Sequence, residues 1–190
     1  MGTFLVTGAN RGIGLEFCRQ LQARHDNVIA VCRQSSEELD ALDVEIQSGI
    51  ELTSEASITA LVQNLEGRLL DGVILNAGTL QSMDLNTLNA EGIRYQFEVN
   101  ALAPLLLTQA LIGQMPRGAK LALITSRMGS IDDNTSGGSY GYRMSKVALN
   151  IAGRSLSIDL KPRGIAVAIL PPGLVSTRLI NFHPTRINPE

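Results

Sequence analysis

The chain has 190 residues, 44% of them hydrophobic, with 16 basic and 18 acidic side chains for a formal net charge of -2. That length and apolar content fit one domain, 1–190, with a single sizeable core, and the scattered charges, with no basic stripe or run, exclude nucleic acid as an obligate partner and give no hold on an anionic membrane surface. No apolar run is long enough to span a bilayer, and neither a signal peptide nor a myristoylation signal opens the chain, so a cytoplasmic protein is expected. The first apolar run, Thr3 to Val6, reads as a short buried strand that leads into Thr7-Gly8-Ala9-Asn10-Arg11-Gly12-Ile13-Gly14. Glycines at that density, ahead of the amphipathic segment Leu15 to Ala23, let the backbone turn tightly and approach a ligand. They also expose the first amides of a helix, which with the helix dipole suit a pyrophosphate. The spacing is Gly-x-x-x-Gly-x-Gly and not the standard Gly-x-Gly-x-x-Gly, and a glycine-rich turn with no ligand is the alternative.

Further along, apolar runs at 27–32, 72–75, 119–125 and 165–170 alternate with helical patterns at 12–24, 54–65, 90–114 and 143–160. Val44-Glu45-Ile46 or Ile50-Glu51-Leu52 supplies one more strand, because Gly49 breaks the run and Thr53-Ser54-Glu55 looks like a helix start. The alternation predicts an α/β fold: a doubly wound parallel sheet in three αβα layers, with strand order 3-2-1-4-5-6. Gly8, Asn76, Ser126 and Pro172 each follow a predicted strand, and such sheets bind ligands at the carboxyl ends of their strands. Cys18 and Cys32 show no metal or redox spacing and are read as small buried hydrophobes.

Tyr142 and Lys146 stand four residues apart, on one face of the last predicted helix. An ammonium beside a phenol favours the phenolate and lowers its pKa, which makes the tyrosine a usable proton donor or acceptor. Taken alone the pair is commonplace. Tyr140 lacks such a partner, since Met144 stands four residues beyond it. Only His25 and His183 are available as histidines, with no Gly-x-Ser-x-Gly elbow, so a serine hydrolase and a metal site are both unsupported.

The motifs together resemble one family, the classical short-chain dehydrogenases and reductases. The resemblance rests on Thr7 to Gly14, Leu75-Asn76-Ala77-Gly78, an isolated Asn100 in a helical run, Ser126, Tyr142 with Lys146, and Pro172-Gly173 followed by Thr177, in family order over nearly the whole chain. Residues 129–134 and 137–146 look most like the carbonyl-reductase branch that includes C-factor and sniffer-type proteins. Classical members continue past Thr177 with a substrate loop, a helix and a final strand. Only Arg178 to Glu190 follow here, so the final strand and helix are expected to be missing and the substrate region 174–190 incomplete.

The resemblance implies a nicotinamide dinucleotide. An NAD enzyme usually carries Asp or Glu at the end of the second strand. Here that strand ends in Cys32-Arg33, with no acid until Glu37, and Arg33 with Arg11 suits a 2′-phosphate, so NADP(H) is favoured over NAD(H). By resemblance, Gly8, Asn10, Arg11, Gly12, Ile13 and Gly14 hold the phosphates, and Glu51-Leu52 and Asn76-Ala77-Gly78 lie on the adenosine side. Tyr142 and Lys146 also touch cofactor, and Pro172, Gly173, Val175 and Thr177 flank the nicotinamide, with Thr177 reaching its carboxamide.

Hydride is then expected to pass between nicotinamide and a small carbonyl or alcohol substrate while Tyr142 moves the proton, Lys146 lowers the tyrosine pKa and holds the ribose, and Ser126 bonds the carbonyl oxygen. Asn100 is expected to hold a water that links Lys146 to solvent. Ser130 is the alternative to Ser126, with Asp132 to Gly138 read as an inserted loop. Helices 90–114 and 143–160 lie where family members pair, so a homo-oligomer is expected. The face Leu149, Ala152, Leu156 and Leu160 is either interface or core. The alternative function is a nucleotide-binding signalling or interaction protein, C-factor-like, with little or no turnover.

Overall fold

The computed structural model describes residues 1–173 and Val175. Six strands, β1 (Thr3–Thr7), β2 (Asn27–Val31), β3 (Glu45–Gln47), β4 (Gly72–Leu75), β5 (Lys120–Ile124) and β6 (Ala166–Leu170), form one parallel sheet in the order β3-β2-β1-β4-β5-β6. The expected doubly wound order is therefore found. Helices α1 (Gly12–Ala23), α2 (Glu37–Asp40), α3 (Glu55–Asn64), α4 (Ala90–Phe97), α5 (Ala103–Leu111) and α6 (Tyr140–Asp159) supply the outer layers.

Because strand side chains alternate between faces, neighbours in β1 enter different cores. Leu5 joins Ile29, Leu61, Leu107, Leu111 and Leu149 beneath α3, α5 and α6. Val6 joins Leu15, Cys18, Leu21, Ala30 and Leu39 beneath α1 and α2. Each fully buried leucine contributes about 1.5–3 kcal/mol by leaving water. A parallel sheet covered on both faces needs such continuous apolar strands. Of the face Leu149, Ala152, Leu156 and Leu160, Leu149 and Leu160 are buried in the first of these cores and Leu156 packs against it, while Ala152 is half-buried and outside it. Both cysteines are buried and free, and burial pushes the Cys18 thiol up to about 12.

Local structure refines three expectations. The third strand is Glu45–Gln47, and Glu51-Leu52 follows it as a turn toward α3, whose first turn is capped by Ser54. A short helix, α2, appears where no periodicity announced one, because the Ser36 hydroxyl accepts from the Leu39 amide. The predicted run 90–114 is divided by a π-helical turn at Glu98–Leu102 and ends in a 3-10 turn. Pro104 has no N–H to give the Asn100 carbonyl four residues earlier, so the regular ladder cannot run through this point.

Candidate active site

The four loops expected to converge do so at the carboxyl ends of β1, β4, β5 and β6. After β1 the chain takes a positive φ of 65° at Gly8, where an added Cβ would lie 2.9 Å from the Ala77 Cα. Only glycine fits both the angle and the approach. Gly14 is packed directly on the Gly8 carbonyl, so the turn is closed from both sides. Helix α1 opens here with an extended residue, Arg11, at its N-cap, no side-chain cap, and no acidic residue in its first turn. Backbone amides of Gly12 and Ile13 thus face a region of positive dipole without a competing carboxylate, the donor set a pyrophosphate requires. Asn10 and Ile13 flank this turn half-buried, and Arg11 is exposed.

Thr7, read from the sequence as the first residue of the glycine motif, closes β1 and ties this turn to the next. Its hydroxyl accepts from the Asn76 and Ala77 amides at 3.0 and 3.1 Å, while the Asn76 side-chain amide donates to the Thr7 and Gly8 carbonyls at 3.0 and 3.3 Å. Gly78 lies at the inner end of the same segment, where a Cβ would be 3.7 Å from Lys146 Nζ.

On the far side of β1, Arg33 follows β2 and reaches Glu51 at 3.6 Å and the Tyr95 hydroxyl at 3.5 Å. The structure therefore brings together the two residues read separately as the phosphate arginine and the adenine-side acid, and adds Tyr95 from α4, which no sequence spacing linked to them. Glu51 is also held by the Thr53 amide and hydroxyl. Leu52 packs against the core.

Tyr142 and Lys146 lie on the first turns of α6, both buried, with Lys146 Nζ 5.8 Å from the phenol ring centroid and donating to the Ile124 carbonyl at 2.9 Å. Burial lowers the Lys146 pKa to about 8. The phenol moves upward, because desolvation outweighs the lowering that comes from hydrogen bonding with Ser126. The expectation that the neighbouring ammonium depresses the tyrosine is thus corrected: among the chain's own residues, burial disfavours charge on both groups.

Ser126 lies two residues past the end of β5 and caps the 3-10 turn Arg127–Gly129, its hydroxyl accepting from the Met128 amide at 3.1 Å. It is the serine beside Tyr142. Ser130 is exposed, and its hydroxyl accepts from the Asp133 amide.

Asn100 is fully buried in the π turn and its side chain is saturated. Oδ1 accepts from the Thr79 amide at 2.8 Å, and Nδ2 donates to the Thr79 carbonyl at 2.8 Å and to Ser145 Oγ at 3.0 Å. Ser145 in turn donates to the Tyr142 carbonyl at 2.8 Å. This chain joins the β4 loop to the helix bearing Tyr142, and Ser145 was legible only as the third residue after Tyr142.

A cavity of about 520 Å³ opens beside the site, between the loop after Ser126 and the outer side of α6, lined by Met128, Ser130, Ile131, Tyr140, Arg143 and Met144 among others. Pro172 is exposed, Gly173 takes a positive φ of 79°, and Val175 is buried. Thr177 lies outside the described residues. Among those described, no helix is long and apolar enough to cross a membrane, and no three His, Cys, Asp or Glu side chains gather as a metal site.

A parallel sheet in this order, with a glycine turn under a helix N-terminus and a tyrosine, lysine and serine at the strand ends, defines a dinucleotide-fold oxidoreductase. The short chain dehydrogenase family model matches residues 2–186, and the chain belongs to that family. It is 40% identical over its whole length to the 1-hydroxy-2-glutathionyl-2-methyl-3-butene dehydrogenase of Rhodococcus sp. (strain AD45), of which 86% is covered. Over 83 residues, 43% of this chain and 50% of the other, it is 52% identical to the C-signal protein of Myxococcus xanthus. Among solved structures, the NADPH-bound carbonyl reductase from chicken fatty liver superposes with a TM-score of 0.90 at 30% identity, covering 100% of this chain and 86% of that one.

Proposed function

We propose that the protein is an NADPH-dependent carbonyl reductase in which Tyr142 is the general acid and base. The observation that carries this reading is the joint placement of Tyr142, Lys146 and Ser126 at the strand ends, opposite a glycine turn whose amides suit a pyrophosphate. NADPH, when bound, supplies the hydride. The chain's own groups do the rest. Gly12, Ile13 and Gly14 hold the pyrophosphate through backbone amides, Arg33 and Arg11 hold a 2′-phosphate, and Asn76, Ala77 and Gly78 bound the adenosine side. Ser126 donates to the substrate carbonyl oxygen as negative charge develops there. Tyr142 gives that oxygen its proton, a role for which an upward-shifted phenol stays protonated through neutral pH.

Lys146 then orients the cofactor ribose and restores the proton to Tyr142. Its lowered pKa makes it an easier donor than an exposed lysine. The return path would run through a water held by the Asn100 backbone carbonyl, which links Lys146 to solvent, since both hydrogens of the Asn100 side-chain amide are already given. NADP(H) over NAD(H) is supported by Arg33 at the end of β2 in place of an acid, and by the NADPH in the chicken carbonyl reductase. The glutathione-conjugate dehydrogenase widens the substrate class to hydroxyl compounds run in the oxidative direction.

A homo-oligomer built on α4, α5 and α6 fits the exposed Phe97, Leu105, Ile151 and Ile158, and light scattering tests it. A second reading, a nucleotide-binding signalling protein with little turnover, is favoured by the likeness to C-signal. Adding a panel of simple aldehydes and ketones to the NADPH-bound protein separates the two. NADPH consumption supports the reductase, and tight binding without consumption supports signalling.

A further inference from the structure

We propose that Asn150 is a positioning residue for Ser126, fixing the segment that carries this serine to the same helix face that carries Tyr142 and Lys146. The proposal rests on the reading of Ser126 as the donor to the substrate carbonyl. Asn150 stands four residues after Lys146 and eight after Tyr142, so the three project from one side of α6. Its side chain reaches across to the β5 end and takes hold of it on both flanks of Ser126. Asn150 Oδ1 accepts from the Thr125 hydroxyl at 2.6 Å, and Nδ2 donates to the Gly129 carbonyl at 3.0 Å. The residue just before Ser126 and the residue three after it are thereby held by one amide.

Two further features make this clamp rigid. Gly129 is pressed against α6 so closely that an added Cβ would lie 2.8 Å from Asn150 Nδ2 and 3.0 Å from the Lys146 carbonyl oxygen. Thr125 is buried. Between the two held residues, Ser126 Oγ takes its direction from the 3-10 turn it caps through the Met128 amide. The orientation of the hydroxyl is set by the turn, and the position of the turn is set by Asn150. An amide suits this place because it accepts from a hydroxyl with one end and donates to a carbonyl with the other. An ionised carboxylate of the same shape has no proton to give Gly129.

The consequence for the reaction is a common frame. Tyr142 and Lys146 are fixed by the helix itself, whereas Ser126 arrives from a separate strand, and displacement of about 1 Å between reacting groups can lower a rate about a hundredfold. Ser126 also draws the Tyr142 pKa down by hydrogen bonding. A serine that drifts away therefore leaves its mark on the titration of Tyr142 as well as on the rate.

The test is a double-mutant cycle on the full chain, with Asn150→Ala, Ser126→Ala and the pair, reading NADPH-dependent reduction of a simple aromatic aldehyde across pH, with NADPH affinity from nicotinamide fluorescence. Asn150→Ala is expected to lower kcat about ten- to a hundredfold, keep NADPH affinity within about twofold, and raise the apparent pKa on the alkaline limb in the direction Ser126→Ala raises it. In the Ser126→Ala background it should change kcat by less than about twofold, because the group it positions is already gone. Equal fold-losses in both backgrounds, or an unmoved pH profile, would overturn the proposal. Thr125→Val removes one of the two bonds and keeps the fold packed, and the same non-additivity is expected of it; strict additivity there counts against the proposal equally. An active wild type whose Ser126→Ala variant is unimpaired sinks the reading of Ser126 itself, and the two failures are thus told apart.

Discussion

The two ends of the sheet's carboxyl edge are built on different principles. At the end proposed for adenosine, charges stand in the open: Arg11 is exposed, and Arg33, with 63% of its side chain exposed, meets Glu51 at 3.6 Å. At the end proposed for catalysis, Asn100, Ser145, Tyr142 and Lys146 are all buried, and the first three are joined by hydrogen bonds of 2.8 to 3.0 Å. A phosphate can be caught by a long, solvated side chain, since charge acts over several ångströms and tolerates error in position. Proton transfer demands contact distance and a controlled pKa, and both come from burial beside a hydrogen-bonded network. Substitutions at the first end should change affinity, and those at the second should change rate.

The largest effect expected from this contrast is on Tyr142. Tyr142→Phe removes the proton and keeps the ring, so kcat should fall by about 100- to 10,000-fold, with NADPH affinity nearly unchanged in a fluorescence titration. A loss of affinity that matched the loss of rate would erase the division of labour. Gly14→Ala comes next. Its methyl group would meet the Gly8 carbonyl and Asn76 Nδ2, forcing the turn open, and thermal unfolding should show a loss of about 1–3 kcal/mol together with weakened binding of either nucleotide.

Arg33→Ala sharpens the comparison from the adenosine side. Loss of a charge-assisted contact should weaken NADPH about tenfold or somewhat more, leave NADH within about twofold, and leave kcat with saturating NADPH unchanged. The wild-type preference should also shrink as salt is raised.

The smallest expected effect is the pH dependence of stability from Lys146. Its pKa is about 8 in the folded protein against 10.5 for an ordinary lysine. Below pH 8 both folded and unfolded chains carry the charge, and folding bears the full desolvation cost. Between pH 8 and 10.5 the folded chain releases the proton that the unfolded chain keeps, and the cost recedes. This group's contribution therefore makes the protein more stable as pH rises through that window, a trend that Lys146→Met should remove from the unfolding midpoints.

Much of this was legible in the sequence because it is periodic or compositional. Alternating apolar runs carried the sheet order, and the i, i+4 spacing carried Tyr142 with Lys146. Glycines marked the turn at Gly8 and Gly14. What stayed hidden depends on distances across the fold. The direction of the Tyr142 shift was misread because spacing shows the ammonium and not the burial that raises the phenol. Thr7 stood in the glycine motif, but its partners Asn76 and Ala77 lie on another strand's loop, and Ser145 and Asn150 carry no local signal, since two polar helix residues look the same whether they clamp a loop or face water. The break in the 90–114 helix had a sign in Pro104, although the π turn needs Asn100 and its partners from the β4 loop as well.

The central claim is that this chain reduces a carbonyl with NADPH through the phenol of Tyr142. Its most direct test is to follow nicotinamide fluorescence for wild type and Tyr142→Phe, first with NADPH alone and then with an aldehyde added. The account predicts equal binding by both, and consumption of NADPH by the wild type alone. Equal consumption by the phenylalanine variant, or failure of the wild type to bind NADPH, would contradict it.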